Sequence, residues 1–218
     1  MRASFFIILK DLVSCFYILI MSNSKFLEIV NQQGKAEYFG KIFSDEKSFT
    51  YYVKLIKEIN WKHDVVKMFG KEIVTKRKVA FYGDKGISYK YSGKTKIAEN
   101  WSDFLLEIKS AVEEISGNTF NACLLNLYHN GSEAMSWHSD NEKEILANSA
   151  IASVSFGAER KFGFRNNSTQ KKISLILENG SLLIMKDEIQ KYWKHRLFVN
   201  HKISEPRINL TFRTIVND

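Results

Sequence analysis

The sequence predicts an α+β fold with a β-rich second half, and three observations lead there. Apolar residues recur every three or four positions over 44–59 and 100–116, the period of a helix with one buried face. After Phe120 the apolar runs become short and are bounded by turns such as Gly157-Ala158 and Asn179-Gly180. Helices come first and strands later, and many short strands in series fit a sandwich or barrel of jelly-roll type. With 218 residues, the chain suits one domain over 22–218, preceded by an apolar segment over 1–21.

Taken in order, residues 25–43 predict an opening strand and turn, from apolar residues within Lys25-Phe26-Leu27-Glu28-Ile29-Val30 and at Tyr38-Phe39. Ser44-Asp45-Glu46-Lys47 has the pattern of a helix cap, and Phe49, Tyr52, Val53, Ile56 and Ile59 follow at helical spacing. Residues 71–92 predict a β-hairpin. Val79-Ala80-Phe81-Tyr82 runs into a turn at Gly83-Asp84-Lys85-Gly86, and Ile87-Ser88-Tyr89-Lys90-Tyr91 returns. Trp101, Leu105, Ile108, Val112 and Ile115 define an amphipathic helix that ends near Gly117. Strands are expected at 121–128, 150–156, 160–164, 172–177, 181–185, 193–198 and 207–214.

The apolar residues of 1–21 are interrupted by Lys10 and Asp11. A spanning helix wants roughly 20 mostly uncharged residues, and a signal peptide wants one unbroken apolar core. Three readings stay open: a start assigned too early with Met21 the true beginning, a short packed helix, or a membrane anchor. The first is preferred, since Met21-Ser22-Asn23-Ser24 reads as an ordinary polar start, and no stable membrane association is expected. Two cysteines, Cys15 and Cys123, offer neither a disulfide framework nor a metal knuckle, so a reducing, cytoplasmic compartment fits. The net charge of +8 attracts polyanions, which alone argues only for non-specific contact.

Chemistry concentrates in the last third. His138 and Asp140 stand two apart, so on an extended segment both side chains face one way. Alone, the pair is a weak signal and reads first as a satisfied loop histidine beside a surface carboxylate. A later histidine, His195 or His201, completes a two-histidine, one-carboxylate set of the kind that holds Fe(II) on one face. The run Arg207-Ile208-Asn209-Leu210-Thr211-Phe212-Arg213 alternates with period two. As a strand it puts Arg207, Asn209, Thr211 and Arg213 on one face and the apolar residues on the other. Two guanidinium forks on one face suit a dicarboxylate. The bland alternative is a solvated edge strand. Iron ligands beside a dicarboxylate clamp imply 2-oxoglutarate. Asn126 and Tyr128 share a face of their strand and are candidates to bond its carboxylates. Around the hairpin, Lys76, Arg77, Lys78, Lys85, Lys90, Lys94 and Lys96 are interleaved with Phe81, Tyr82, Tyr89 and Tyr91. Cations match phosphates and aromatic faces stack on unpaired bases, although core aromatics with solvated lysines give the same pattern.

Together these motifs resemble the AlkB family of Fe(II)/2-oxoglutarate dioxygenases, in the branch that repairs alkylated nucleic acid. Residues 36–216 carry the likeness. Its most specific parts are Asn126-Leu127-Tyr128, Trp137-His138-Ser139-Asp140-Asn141-Glu142, Ile151 to Ala158, Gly180-Ser181-Leu182-Leu183 and Pro206 to Arg213. The resemblance implies a double-stranded β-helix with Fe(II) on His138, Asp140 and His195, and with O2 as the oxidant. It also implies 2-oxoglutarate held by Arg207, Asn126 and Tyr128, with Arg213 nearer the metal and Asn209 and Thr211 in support. It implies a nucleotide-recognition lid at about 71–96, in which Arg77, Tyr82, Tyr89, Tyr91 and Glu142 contact substrate and Tyr91 stacks on a flipped base. The expected substrate is DNA, the alternatives being the same oxygenase core acting on RNA or protein, or a nucleic-acid-binding protein without catalysis, and the expected state is a monomer. Lys76 and Asn141 depart from the family pattern, which bears on lesion choice.

Overall fold

The computed structural model describes residues 26–68, 71–91 and 94–216. Residues 1–21 lie outside the described residues. Strand β1 (Leu27–Val30) and β2 (Lys35–Lys41) open the fold, followed by helix α1 (Asp45–Glu58). Next come β3 (Lys62–Met68), β4 (Lys71–Gly83), β5 (Ser88–Tyr91), β6 (Lys94–Ile97) and β7 (Glu99–Asn100). Helix α2 (Asp103–Ser116) leads to β8 (Ala122–Tyr128), β9 (Met135–His138), β10 (Ile151–Gly157), β11 (Arg160–Asn166), β12 (Lys172–Leu177) and β13 (Ser181–Lys186). The short helix α3 (Ile189–Tyr192) precedes β14 (Trp193–Leu197) and β15 (Arg207–Arg213).

Among the described residues the strands form a nine-stranded sheet, β1-β2-β13-β10-β15-β8-β4-β3 with β7 beside β4, and a four-stranded sheet, β12-β11-β14-β9. Neighbours are antiparallel except β4 and β7. The large sheet is a partition with two different faces. Leu125, Leu127, Val154, Phe156, Leu210 and Phe212 point to one side, where Tyr51 and Leu55 of α1 and Phe104, Ile108 and Val112 of α2 cover them. On the other side Ile151, Leu183 and Met185 pack against Phe162, Phe164, Trp193 and Leu197 of the small sheet. The result is the predicted jelly roll with helices outside one sheet and the site between the two.

Local chemistry sets the helix ends as predicted. Ser44 Oγ accepts from the Lys47 N–H at 3.2 Å. Gly117 closes α2 at φ 66°, a left-handed backbone that glycine adopts without Cβ strain. The buried stripe of α1 is rotated from the predicted one. Ser48, Tyr51 and Leu55 are buried, whereas Phe49 is 66% exposed and Ile56 is exposed too. Both stripes have helical period, so the periodicity by itself could not choose the face.

The predicted pairing of 79–82 with 87–91 does not form. β4 pairs with β3 and β8, and β5 pairs with β6 instead, as a separate two-stranded hairpin. The turn after Gly83 is real, with Ile87 N–H donating to Asp84 O at 3.1 Å, but it redirects the chain rather than reversing it onto β4. β4 is already paired along its length, with β3 over 71–79, β8 over 78–83 and β7 at Tyr82 and Gly83. No helix among the described residues is long and apolar enough to cross a membrane.

Candidate active site

The small sheet brings two histidines together. His138 ends β9 and His195 lies on β14, and they are direct cross-strand partners, so both rings project from the same face with centroids 4.2 Å apart. Outside, Trp137 fastens β9 to its neighbours: Arg165 and Arg196 lie over its indole at 4.9 and 5.4 Å. Asp140 follows in a loop that is tied down twice. Its N–H donates to Gln190 Oε1 at 3.0 Å, and Ser139 Oγ donates to Trp193 O at 3.0 Å. Ligand atoms of His138, Asp140 and His195 all lie within 4.8 Å of one another. The Nδ1 of His138 sits 2.8 Å from Ser136 O, which leaves Nε2 facing Asp140 Oδ1 at 3.8 Å.

The protonation states suit a metal. Burial alone would raise the Asp140 carboxyl, but the Arg213 guanidinium 2.9 Å away, with the two histidines, holds it at about 2. Burial pushes the His195 imidazole down to about 3, aided by His138 and Arg213 and opposed by Asp140. At neutral pH the set is therefore one carboxylate and, at His195, a neutral ring with a free lone pair, as metal binding requires. Two imidazoles and one carboxylate fit Fe(II).

Arg207 forms the other end. It sits at the centre of the large sheet, between β8 and β10, with only 2% of its surface exposed. Its guanidinium donates to Ser155 Oγ at 2.9 Å and lies over the Tyr128 ring at 5.6 Å. No acidic side chain pairs with it among the described residues. Its Nε and the buried Asn126 Oδ1 have no hydrogen-bond partner there either. Burial lowers the guanidinium to about 10, with Tyr128 opposing and Arg160 assisting. A buried cation without a counter-anion is costly, and a ligand carboxylate would offset that cost. The Asn126 amide, turned about its last torsion, presents its NH2 to the same anion. The residues thus fit a dicarboxylate. Asn209 is tied within the sheet, donating to Ser153 Oγ at 2.9 Å and accepting from Thr211 at 3.2 Å, so the two brace each other on the pocket wall.

A cavity of about 160 Å³ joins the two ends. Of the residues picked out from sequence, His138, Asp140, His195, Asn126, Tyr128, Arg207, Asn209, Thr211, Arg213, Arg77 and Glu142 all line it. Tyr82 does not, which corrects its expected substrate contact. It shares the parity of Ala80 on β4, faces the helices, and is buried in the core among Trp101 and Phe104. His201 is exposed and outside the cluster. The side chains of Tyr89 and Tyr91 lie outside the described residues. Sequence reasoning missed Ser153 and Ser155 on β10, Met135 on β9, and Gln190. The serines had a signal, since Ser-Val-Ser within an otherwise apolar strand marks one polar face.

The loop leading into β9 is pinned from below. Arg160, 1% exposed, donates to Glu133 O at 2.7 Å, Phe198 O at 2.8 Å, and Asn130 O and Gly131 O at 3.3 Å. Gly131 is needed there because an added Cβ would clash with the Asn200 carbonyl. The carbonyls of Asn130 and Gly131 also accept from the Glu133 and Asn200 N–H, so Arg160→Met should leave those of Glu133 and Phe198 without this donor and cost about 3 kcal/mol, lowering Tm by roughly 6–12 °C. An unchanged thermal unfolding curve would show that the loop holds itself.

Comparison with known proteins agrees with this geometry. The 2OG-Fe(II) oxygenase superfamily model matches residues 35–213. Human DNA oxidative demethylase ALKBH2 is 39% identical over 189 residues, covering 82% of this chain and 71% of that protein, and the Mus musculus protein of that name is 38% identical over 84% and 77%. Human alpha-ketoglutarate-dependent dioxygenase alkB homolog 3 is 38% identical over 152 residues, covering 65% of this chain and 52% of that protein. The solved structure of OsALKBH1 superposes with a TM-score of 0.60 over 86% of this chain and all of that one at 14% identity, a likeness of fold. The chain therefore belongs to the AlkB family of dioxygenases, enzymes that use Fe(II), 2-oxoglutarate and O2.

Proposed function

We propose that this dioxygenase is a DNA repair enzyme, an oxidative demethylase that removes N-methyl lesions such as N1-methyladenine and N3-methylcytosine and releases formaldehyde, succinate and CO2. One observation carries the proposal: the His138, Asp140 and His195 cluster and the buried Arg207 share one cavity, in a chain 39% identical to a protein named DNA oxidative demethylase.

His138, Asp140 and His195 would hold Fe(II). Arg207, with Asn126 and Tyr128, would take the distal carboxylate of 2-oxoglutarate, while Ser155 aims the guanidinium. Arg213 keeps Asp140 ionised and turned toward the metal end, and Asn209 and Thr211 stiffen the strand that carries both arginines. Once bound, Fe(II) with 2-oxoglutarate and O2 supplies the oxidation of the N-methyl carbon. The hydroxymethyl group left on the base nitrogen is then lost as formaldehyde, which restores the base. The remaining task of the protein is placement, which requires a base taken out of the stack. Arg77 and Glu142 border the cavity, and Glu142 offers negative charge to a cationic methylated base. The β5–β6 hairpin is the recognition lid in this scheme, with Tyr89 and Tyr91 supplying the stacking faces. The chain is taken as a monomer of a reducing, cytoplasmic or nucleic-acid-associated compartment, in keeping with its buried free Cys123.

The test is direct. Iron-loaded protein with 2-oxoglutarate should convert methylated single- or double-stranded oligonucleotides to unmodified ones by mass, with formaldehyde in equal amount. Consumption of 2-oxoglutarate with no change in any methylated oligonucleotide would leave the oxygenase and remove the DNA substrate. Stacking is worth roughly 1–3 kcal/mol per base, so Tyr91→Ala should lower oligonucleotide turnover about tenfold or more while sparing the 2-oxoglutarate requirement.

A further inference from the structure

The β5–β6 hairpin is a two-stranded sheet of its own, and a lone hairpin is only marginally stable in water. A cleft of about 310 Å³ separates it from β3 and β4, bordered by Asp64, Val79, Lys96 and Glu99. Its position relative to that sheet must come from ties across that cleft. One of them is buried: Lys96 Nζ of β6 donates to Asp64 Oδ1 at 2.8 Å, while Arg77 of β4 donates to Asp64 Oδ2 at 2.9 Å. The Asp64 side chain is 2% exposed, and that of Arg77 8%. The line continues inward, since the other Arg77 terminal nitrogen contacts Met135 Sδ at 3.4 Å, three residues before His138 on β9. Arg77 and Met135 both line the cavity.

We propose that Asp64 is a positioning residue: its single buried carboxylate clamps the β5–β6 hairpin, through Lys96, to the Arg77 wall of the active site. Its effect on substrate rests on the nucleic-acid function proposed above. Two cations that sequence alone assigns to phosphate or substrate contact are here joined through one anion. Without that anion the buried link between Lys96 and Arg77 is broken, and the hairpin loses its registration with the wall that carries Arg77. The expectation runs against bulk electrostatics. Removing a negative charge from a basic protein should tighten its binding to a polyanion, whereas breaking the clamp should weaken it.

The test uses the full chain with Asp64→Asn, which keeps the volume and removes the charge, and Lys96→Met. Two measurements are made on each: amide hydrogen exchange over 88–97, and anisotropy of a labelled N1-methyladenine oligonucleotide across a salt series. Asp64→Asn should speed exchange in the hairpin and weaken oligonucleotide binding at least about fivefold, with the requirement for 2-oxoglutarate within twofold of wild type. Lys96→Met should do the same with an unchanged salt slope, and the double variant should be no worse than either single one. Unchanged or tighter binding in Asp64→Asn with unchanged exchange overturns the clamp, as does a parallel loss of 2-oxoglutarate affinity. A salt slope lower by about one in Lys96→Met would make that lysine a phosphate contact instead. If Asp64→Asn fails to fold, the partly exposed Lys96→Met still decides. Should the wild type bind no oligonucleotide, the function proposed above fails, and the exchange measurement tests the clamp without it.

Discussion

His195→Ala should abolish iron-dependent turnover and weaken iron binding by more than about a hundredfold, because two remaining ligands cannot hold a facial site. The loss should not be one of folding. His195 sits among Phe162, Phe164 and His138, and truncation there leaves a cavity costing about 2–4 kcal/mol, which a native-like circular dichroism spectrum and a modestly lowered Tm would register. His138→Ala and Asp140→Ala should be equally inactive. In Asp140→Ala the guanidinium of Arg213 also loses a buried carboxylate 2.9 Å away, so that variant should be the least stable of the three. His201→Ala is the control: an exposed side chain outside the cluster should give wild-type turnover. Turnover retained by His195→Ala and lost by His201→Ala would overturn the assignment.

Arg207→Ala should raise the apparent requirement for 2-oxoglutarate by roughly 30–150-fold, the equivalent of about 2–3 kcal/mol for a charge-assisted contact with a carboxylate. Arg207→Lys should recover only part of this, since an ammonium cannot reproduce the two-pronged geometry. The ligand-free protein should respond in the opposite sense. Arg207 is buried with no acidic partner among the described residues, so Arg207→Met replaces an uncompensated cation with an apolar chain of similar length. Its Tm without ligand should match or exceed that of wild type, while the stabilisation that 2-oxoglutarate brings should vanish. A 2-oxoglutarate requirement unaltered in Arg207→Ala would place the co-substrate elsewhere.

The two ends of the site were not equally legible. In 207–213, strict alternation places both arginines on one face wherever the strand goes, because side chains of an extended chain must alternate. The same rule selects Asn126 with Tyr128. Helix limits at Ser44 and Gly117 were also local matters, settled by a side-chain cap and by a backbone that glycine alone adopts easily. Other choices depended on partners distant in sequence. His195 and His201 have the same strand parity. What separates them is register, since His195 pairs across the sheet with His138. Tyr82 and Arg77 both looked like substrate contacts, yet their odd spacing on β4 turns one to the helices and the other to the cavity. Which face is inside was decided when β4 paired with β8 rather than with β5.

By itself, then, the sequence determined the two long helices, most of the core strands, the donor types and the sharing of faces within a strand, all consequences of backbone geometry over a few residues, whereas β3, β6 and β9 formed where no local pattern marked a strand. The tertiary structure decided which histidine joins the pair and which strands flank Arg207 deeply enough to strip it of water. It also decided that Asp64, unremarked in the sequence, lies between Lys96 and Arg77. Those outcomes follow from pairing register and burial, and both are properties of contacts between segments far apart along the chain.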